Sequence, residues 1–316
     1  MEAWSDLNSA SHAPQVSHQD DQLSVDVVIV THNRSALVLR SARSVIRDSY
    51  ENKNIIVIDD ASVDGTAEKL RGELHNQIRV IVNNRVQFLG ASRNLGMANG
   101  AARYVLSMDD DCMIPAGNVI KELVDVLEKN KDVAAIAPAV YTTKGKIAYC
   151  GARVFPVFRP IRPRSDKRKL LGCDYAPGTI GMYRREALDK VKGWDPYPWQ
   201  AEDADLCLRL KEAGYEVVCA PWIKATHMKT ALVDIPSEER AYKAGMSRIL
   251  LYKSHLTETA YTAWLALAVV PVVLFYVLFL VCHYRARGVG LLRCYIKGVS
   301  AGLLAKGKLR RRAVIS

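Results

Sequence analysis

The chain has 316 residues, a formal net charge of +11 and 49% hydrophobic residues, enough length and apolar content to bury a core. Nine Lys and Arg and no acid fall between Tyr284 and Ser316, leaving the rest close to neutral. A basic tail beside an apolar segment fits anionic lipid and excludes a generally basic, nucleic-acid-binding surface. The seven cysteines (112, 150, 173, 207, 219, 282 and 294) form no CxxC pair, which excludes a zinc ribbon and a disulfide framework and places the globular part in a reducing, cytosolic setting.

In chain order, residues 1–23 are polar, lack the apolar core of a signal peptide and predict a disordered lead-in. The Val/Ile runs Val25–Thr31 and Asn54–Asp60 predict buried strands. Between them Leu39, Ala42, Val45 and Ile46 share one face at helical spacing. Helices are predicted over Thr66–Leu74, Ala91–Gly100 and Ala116–Lys129, and strands over Ile78–Asn83, Tyr104–Asp109 and Val133–Ala139. Strand–helix repetition with short connections indicates an α/β fold: a Rossmann-like, mostly parallel sheet with helices on both faces. Ligands of such sheets sit outside the carboxyl ends of the strands. Three strands end there in polar clusters: Thr31-His-Asn-Arg34, Asp59-Asp60 and Asp109-Asp110-Asp111.

The stretch Arg153–Lys169, rich in Arg, Lys and Pro, predicts a mobile loop. Helices follow at Arg185–Val191 and Asp203–Ala213, a strand at Glu216–Ala220 and a helical run at Ser237–Ser254. The uncharged run Ala260–Cys282, with Pro271 near its middle, has the length of a membrane span; a membrane-dipping hairpin is the other reading. Gly288–Leu304 mixes Leu, Ile and Val with Arg293 and Lys297 and suits an interfacial amphipathic helix. The expected division is a lead-in (1–23), a catalytic domain (24–235), a connecting helix (236–258), a transmembrane or re-entrant segment (259–283) and a basic amphipathic tail (284–316).

Three acidic features carry chemistry. Adjacent carboxylates repel, so Asp109-Asp110-Asp111 at a strand end predicts a divalent cation bound by oxygen. Alternation along an extended strand end makes Asp109 and Asp111 the better ligands. Glu202, Asp203 and Asp205 open a helix. One acid would cap it, and three suggest a general base for an acceptor hydroxyl. Asp60 ends its strand either as part of a simple turn closed by Asp64-Gly65 or as an acceptor for a nucleobase N–H.

In this order, Val-Ile-Val-Thr-His-Asn-Arg (28–34), Asp-Asp-Ala-Ser-Val-Asp-Gly-Thr (59–66), Gly-Ala-Ser-Arg-Asn-Leu-Gly (90–96), Asp-Asp-Asp (109–111) and Glu-Asp-Ala-Asp-Leu-Cys-Leu-Arg (202–209) closely resemble glycosyltransferase family 2. The resemblance covers Ser24 to Thr230. Gly178-Thr-Ile-Gly181 and Gly193-Trp-Asp195 look like the family's acceptor-side segment. It implies a GT-A fold and an inverting enzyme that moves a sugar from a nucleotide-diphosphate donor to a hydroxyl, here of a glycan or polyprenyl-linked acceptor at a membrane surface. By the same resemblance Thr31, His32 and Asp60 would contact base and ribose, Arg93 would pair with the diphosphate, and Asp109, Asp111 and His227 would hold Mn2+ or Mg2+. Asp203 would be the base, with Glu202 as the alternative. His32 stands where the family commonly has an aromatic. The competing classes are a sugar nucleotidyltransferase, which would need a Gly-rich loop where Thr31–Arg34 stands, and a catalytically silent membrane-anchored binding module.

Overall fold

The computed structural model describes residues 23–155, 158–163, 168–196, 201–228 and 237–305; over 268–273, 275–277 and 279–288 it describes the helical backbone alone. The expected lead-in, apart from Leu23, and the Arg310–Arg312 tail lie outside the described residues.

The first half alternates as its periodicity dictates: β1 (Val25–Thr31), α1 (Ser35–Ile46), β2 (Lys53–Asp59), α2 (Thr66–Leu74), β3 (Arg79–Val82), α3 (Phe88–Ala98), β4 (Tyr104–Asp109), β5 (Cys112–Met113) and α4 (Val119–Lys129). The second half opens with strands: β6 (Val133–Thr142), β7 (Ile147–Tyr149), β8 (Ala152–Arg153), β9 (Arg159–Pro160), β10 (Leu171–Gly172) and β11 (Ile180–Arg184). Then come α5 (Arg185–Lys190), α6 (Glu202–Glu212), β12 (Glu216–His227), α7 (Glu238–His255), α8 (Glu258–Trp264) and α9 (Val270–Leu304).

The main sheet runs β10-β12-β6-β11-β4-β1-β2-β3. Its β1–β2, β1–β4, β2–β3 and β6–β12 pairs are parallel, but β11 lies antiparallel between β4 and β6. The sheet is therefore mixed, a correction to the mostly parallel expectation. Ile180–Arg184 is too short, and too close to glycines, to stand out as a strand in sequence. Alternate side chains enter two cores, as pleating requires. Val25, Val27, Ile29, Leu106 and Met108 pack with α1, α2 and α4 on one face. Val28, Val30, Ile56, Ile58 and Val105 pack with Leu188, Trp194, Leu206 and Leu210 on the other.

Two features of the C-terminal third go beyond the sequence reading. The strand expected to end at Ala220 continues past an irregularity at Ala220/Lys224 to His227, where it pairs with β5. The stretch expected to suit a membrane interface packs one face on α7. Leu291 and Tyr295 are buried with Ala241, and a Cβ on Gly298 would lie 2.0 Å from the Tyr242 carbonyl oxygen. Small residues there let the two backbones approach. Among the described residues no helix is long and apolar enough to cross a membrane.

Candidate active site

The sheet register brings the predicted polar clusters to one edge. Thr31 lies opposite Asp59 and Val30 opposite Asp109 in adjacent strands, so Asp60 and the Asp109–Asp111 turn emerge side by side. Because β11 runs antiparallel, its entry, Gly178-Thr179, meets the exit of β4, and the Asp109 N–H donates to the Thr179 carbonyl at 3.0 Å. His227 arrives from the end of β12, its Nε2 3.0 Å from Asp111 Oδ1. Thr31, His32, Asp60, the three aspartates and His227 line one cavity of about 690 Å³.

Within that cavity the expected nucleotide contacts are already engaged. The Thr31 hydroxyl donates to Asp110 at 2.8 Å and keeps its acceptor positions on the cavity wall. His32 Nδ1 donates to the Asp60 carbonyl at 2.7 Å and its Nε2 faces Asn33 Nδ2 at 2.9 Å, so the ring is held at the cavity wall. Asp60 Oδ1 accepts from Asn83 Nδ2 (2.7 Å), the Gln87 N–H (2.9 Å) and the Ser92 hydroxyl (3.0 Å), while Oδ2 accepts from the Phe88 N–H (3.0 Å). A carboxylate has about four acceptor positions, two on each oxygen. Asp60 therefore organises the segment 83–92 first and keeps room on Oδ2 for one further donor. Asn83 and Ser92 carry no sequence signal for this task.

Asp109, Asp111 and His227 all border the cavity, and their oxygen and imidazole donors are the chemistry that Mn2+ or Mg2+ accepts. Among the described residues, though, no three His, Cys, Asp or Glu side chains stand close enough together to hold an ion as they are. Asp111 is closed onto His227, and Asp109 faces Arg93 at 3.0 Å. The electrostatics nonetheless fit a cation. Burial pushes the Asp109 carboxyl up to about 7, with Asp203, Asp111 and Asp110 adding to the push and Arg93 opposing it. Burial likewise raises Asp110 against the pull of Arg34. Burial alone would lower His227, but its bond to Asp111 and the charges of Asp111 and Asp109 outweigh that and raise it. Arg34, to which sequence attached no role, is 3.0 Å from Asp110 and 3.5 Å from Asp111.

A second cavity of about 480 Å³ adjoins the first, sharing Asp109 and Leu89. Glu202 and Asp203, at the start of α6, line it together with Arg93, Gly178, Phe158 and Arg248. Arg93 is 2% exposed and grips three carboxylates: Asp203 at 2.6 Å, Asp109 at 3.0 Å and Glu202 at 3.0 Å. It also donates to the Gly178 carbonyl at 3.2 Å. Arg93 thus lines the second cavity as the buried counter-ion of these three carboxylates, one of which, Asp109, also borders the first. Sequence could not reveal this, because three carboxylates from distant segments surround it. Asp203 is held on its other oxygen by the Gly178 N–H at 2.7 Å, and a Cβ on Gly178 would lie 2.2 Å from that oxygen. Only glycine fits. Burial, then the adjacent Asp203 charge, pushes Glu202 up to about 7. The 90–96 motif is itself locked to 193–195: Asn94 exchanges bonds with Trp194 N and O at 2.8 and 2.7 Å.

Residues 26–192 match the sequence model of the family described as glycosyl transferase family 2. The Bacillus subtilis protein EpsE is 26% identical over 225 residues, covering 69% of this chain and 75% of its own. The Escherichia coli UDP-Glc:alpha-D-GlcNAc-diphosphoundecaprenol beta-1,3-glucosyltransferase WfgD is 24% identical over 111 residues, 35% of this chain and 44% of its own. In fold, the chain is similar to the mannosyltransferase PcManGT of Pyrobaculum calidifontis, solved with GDP-Man and Mn2+. That likeness has a TM-score of 0.59 at 15% identity and covers 90% of this chain and 88% of the other.

Proposed function

The chain belongs to glycosyl transferase family 2 and is a glycosyltransferase of GT-A fold, and from that premise we propose an inverting transfer from a nucleotide-diphosphate sugar to an acceptor hydroxyl. The observation that carries the proposal is the meeting of two cavities at Asp109. One is walled by the Asp109–Asp111 turn, Asp60 and His32, the other by Glu202 and Asp203. The first takes the donor, with the base against His32 and an N–H on the free acceptor position of Asp60. The second takes the acceptor hydroxyl.

Asp203 is the base. Its carboxylate borders the acceptor cavity and is oriented on both sides, by Arg93 and by the Gly178 N–H, so that a hydroxyl delivered there finds a fixed acceptor for its proton. Glu202, buried behind it and also bonded to Arg93, is the alternative. As the hydroxyl attacks the anomeric carbon opposite the leaving nucleotide, the configuration inverts and no covalent enzyme intermediate forms. Asp109, Asp111 and His227 would hold the divalent cation, which when bound supplies neutralising charge to the diphosphate.

The acceptor is proposed to be a lipid-linked glycan or surface polysaccharide precursor, by similarity to the diphosphoundecaprenol-linked acceptor in the name of WfgD. The basic run from Arg159 to Lys169 and the nine positive charges after Tyr284 suit a phosphate-bearing acceptor and an anionic lipid surface. Membrane association, with the catalytic domain on the cytosolic side, is part of this proposal. It rests on the uncharged run Ala260–Cys282 and that tail. Cosedimentation of the full chain with anionic vesicles checks it, and a chain that stays in the supernatant at low salt contradicts it.

The function itself is tested by nucleotide release from a panel of UDP-, GDP- and dTDP-sugars, with Mn2+ and a polyprenyl-diphosphate-linked sugar as acceptor. Acceptor-stimulated release of one nucleotide diphosphate is expected. Binding of a donor with no release in the presence of any glycan acceptor would leave a silent binding module instead.

A further inference from the structure

With Arg93 enclosed by carboxylates, the donor cavity needs another cation for the diphosphate. A diphosphate entering between Asp60, Asp109, Asp110 and Asp111 meets like charge, and a divalent ion on the aspartate side would leave the remaining phosphate oxygens without donors. Four basic side chains line the cavity: His32, Arg34, His227 and Arg240. The His32 ring is held between the Asp60 carbonyl and Asn33. Arg34 is committed to Asp110 and Asp111, and His227 to Asp111. Arg240, in the first turn of α7, is exposed and has no carboxylate partner among the described residues.

The surroundings of Arg240 are arranged around that free charge. Glu239 borders the same cavity, but Lys243 neutralises it at 2.6 Å. Lys243 also lies 4.8 Å from the centre of the Phe88 ring, tying α7 to the segment whose N–H groups hold Asp60. The Ser237 hydroxyl caps the helix by accepting from the Arg240 N–H at 3.1 Å, fixing the turn that carries the guanidinium. Positions 240, 244 and 248 recur at four-residue spacing and so share a helix face. Arg240 borders the first cavity, Ala244 and Arg248 the second, so one face of α7 covers both.

We propose that Arg240 binds the diphosphate of the nucleotide-sugar donor, from the α7 side of the cavity and across from Asp109 and Asp111. This rests on reading that cavity as the donor site. A guanidinium offers paired N–H donors that match phosphate oxygens, a match the Lys ammonium lacks.

The test titrates UMP and UDP, GMP and GDP, and dTMP and dTDP into full-length wild type, Arg240→Gln and Arg240→Lys with Mn2+, reading affinity by calorimetry. In the best-bound pair, Arg240→Gln is expected to cut the advantage of diphosphate over monophosphate by about tenfold, the loss of one charge-assisted contact. Arg240→Lys should recover part of it. Because Arg240 is exposed, the melting temperature should not move, which separates lost contact from lost fold. If Arg240→Gln binds the diphosphate as tightly as wild type, the assignment of Arg240 is overturned while the donor site stands. If wild type binds none of the six nucleotides, the donor-site reading fails and takes this inference with it.

Discussion

At the scale of single residues, the site is governed by how charge is shared among carboxylates from distant parts of the chain. Arg93 balances Asp109, Glu202 and Asp203 at once, and Asp109 belongs to both cavities. In the proposed mechanism Asp203 is the member that receives the proton. Its replacement by Asn keeps the shape and an acceptor for the Gly178 N–H but removes basicity. Turnover in Asp203→Asn should fall by roughly 10²–10⁴, as for loss of a general base. Donor affinity should be nearly unchanged, since Asp203 does not border the first cavity. Steady-state rates with nucleotide titration check both halves, and near-normal turnover would remove Asp203 from the role. The carboxylates at the strand ends were legible in sequence because their clustering is costly unless something offsets it. That Thr31 bonds Asp110 and Arg93 bonds Glu202 and Asp203 was not legible, because those partners are 79 to 110 residues away in sequence.

Between elements, α6 and α7 are joined by His255, whose two ring nitrogens face Asp205 at 2.9 Å and Glu212 at 2.7 Å. Burial pushes the Asp205 carboxyl upward, but His255 and Arg209 outweigh it and hold the group below its ordinary value. A carboxyl whose folded value lies below its unfolded one releases its proton more readily in the native state. Its stabilisation is therefore complete above the unfolded value of about 4 and is lost as pH falls through the folded value. Acid titration followed by circular dichroism should show unfolding begin below about pH 4, with a shallower acid dependence in Asp205→Asn. A second junction, α7 on α9, depends on close backbone approach. Gly298→Leu puts a side chain where the Tyr242 carbonyl stands and should cost about 1–3 kcal/mol by overpacking, read as a lowered melting temperature. Since α7 covers both cavities, nucleotide affinity should weaken as well, whereas a change confined to stability would detach the α7–α9 junction from the site.

For the whole molecule, the mixed sheet gathers its chemistry at one edge, where three parallel strand ends meet the entry of one antiparallel strand. The acidic surplus there is the physical case for a cation. A chelator should abolish transfer, and Mn2+ or Mg2+ should restore it. Asp111→Asn should need more metal for half-maximal nucleotide binding, and transfer that survives chelation would dissociate Asp109, Asp111 and His227 from a metal role. The strands β1 and β4 of the parallel half could be read from sequence, since Val25–Thr31 and Tyr104–Asp109 are mostly apolar, broken by Asp26 and Ser107, and buried on both faces. The antiparallel insertion and the continuation of β12 to His227 could not, because short or bulged strands leave no period to detect.

Local sequence alone determined the alternating elements, the acidic strand ends and the family, because periodicity and motif spacing are properties of neighbouring residues. Tertiary structure decided which of those charges remain free. Arg93 is enclosed by Asp109, Glu202 and Asp203, while Arg240, in a helix with no motif, stands exposed at the cavity proposed to take the donor. Whether a charge is spent or available depends on partners brought through space, and one chain segment carries no record of them.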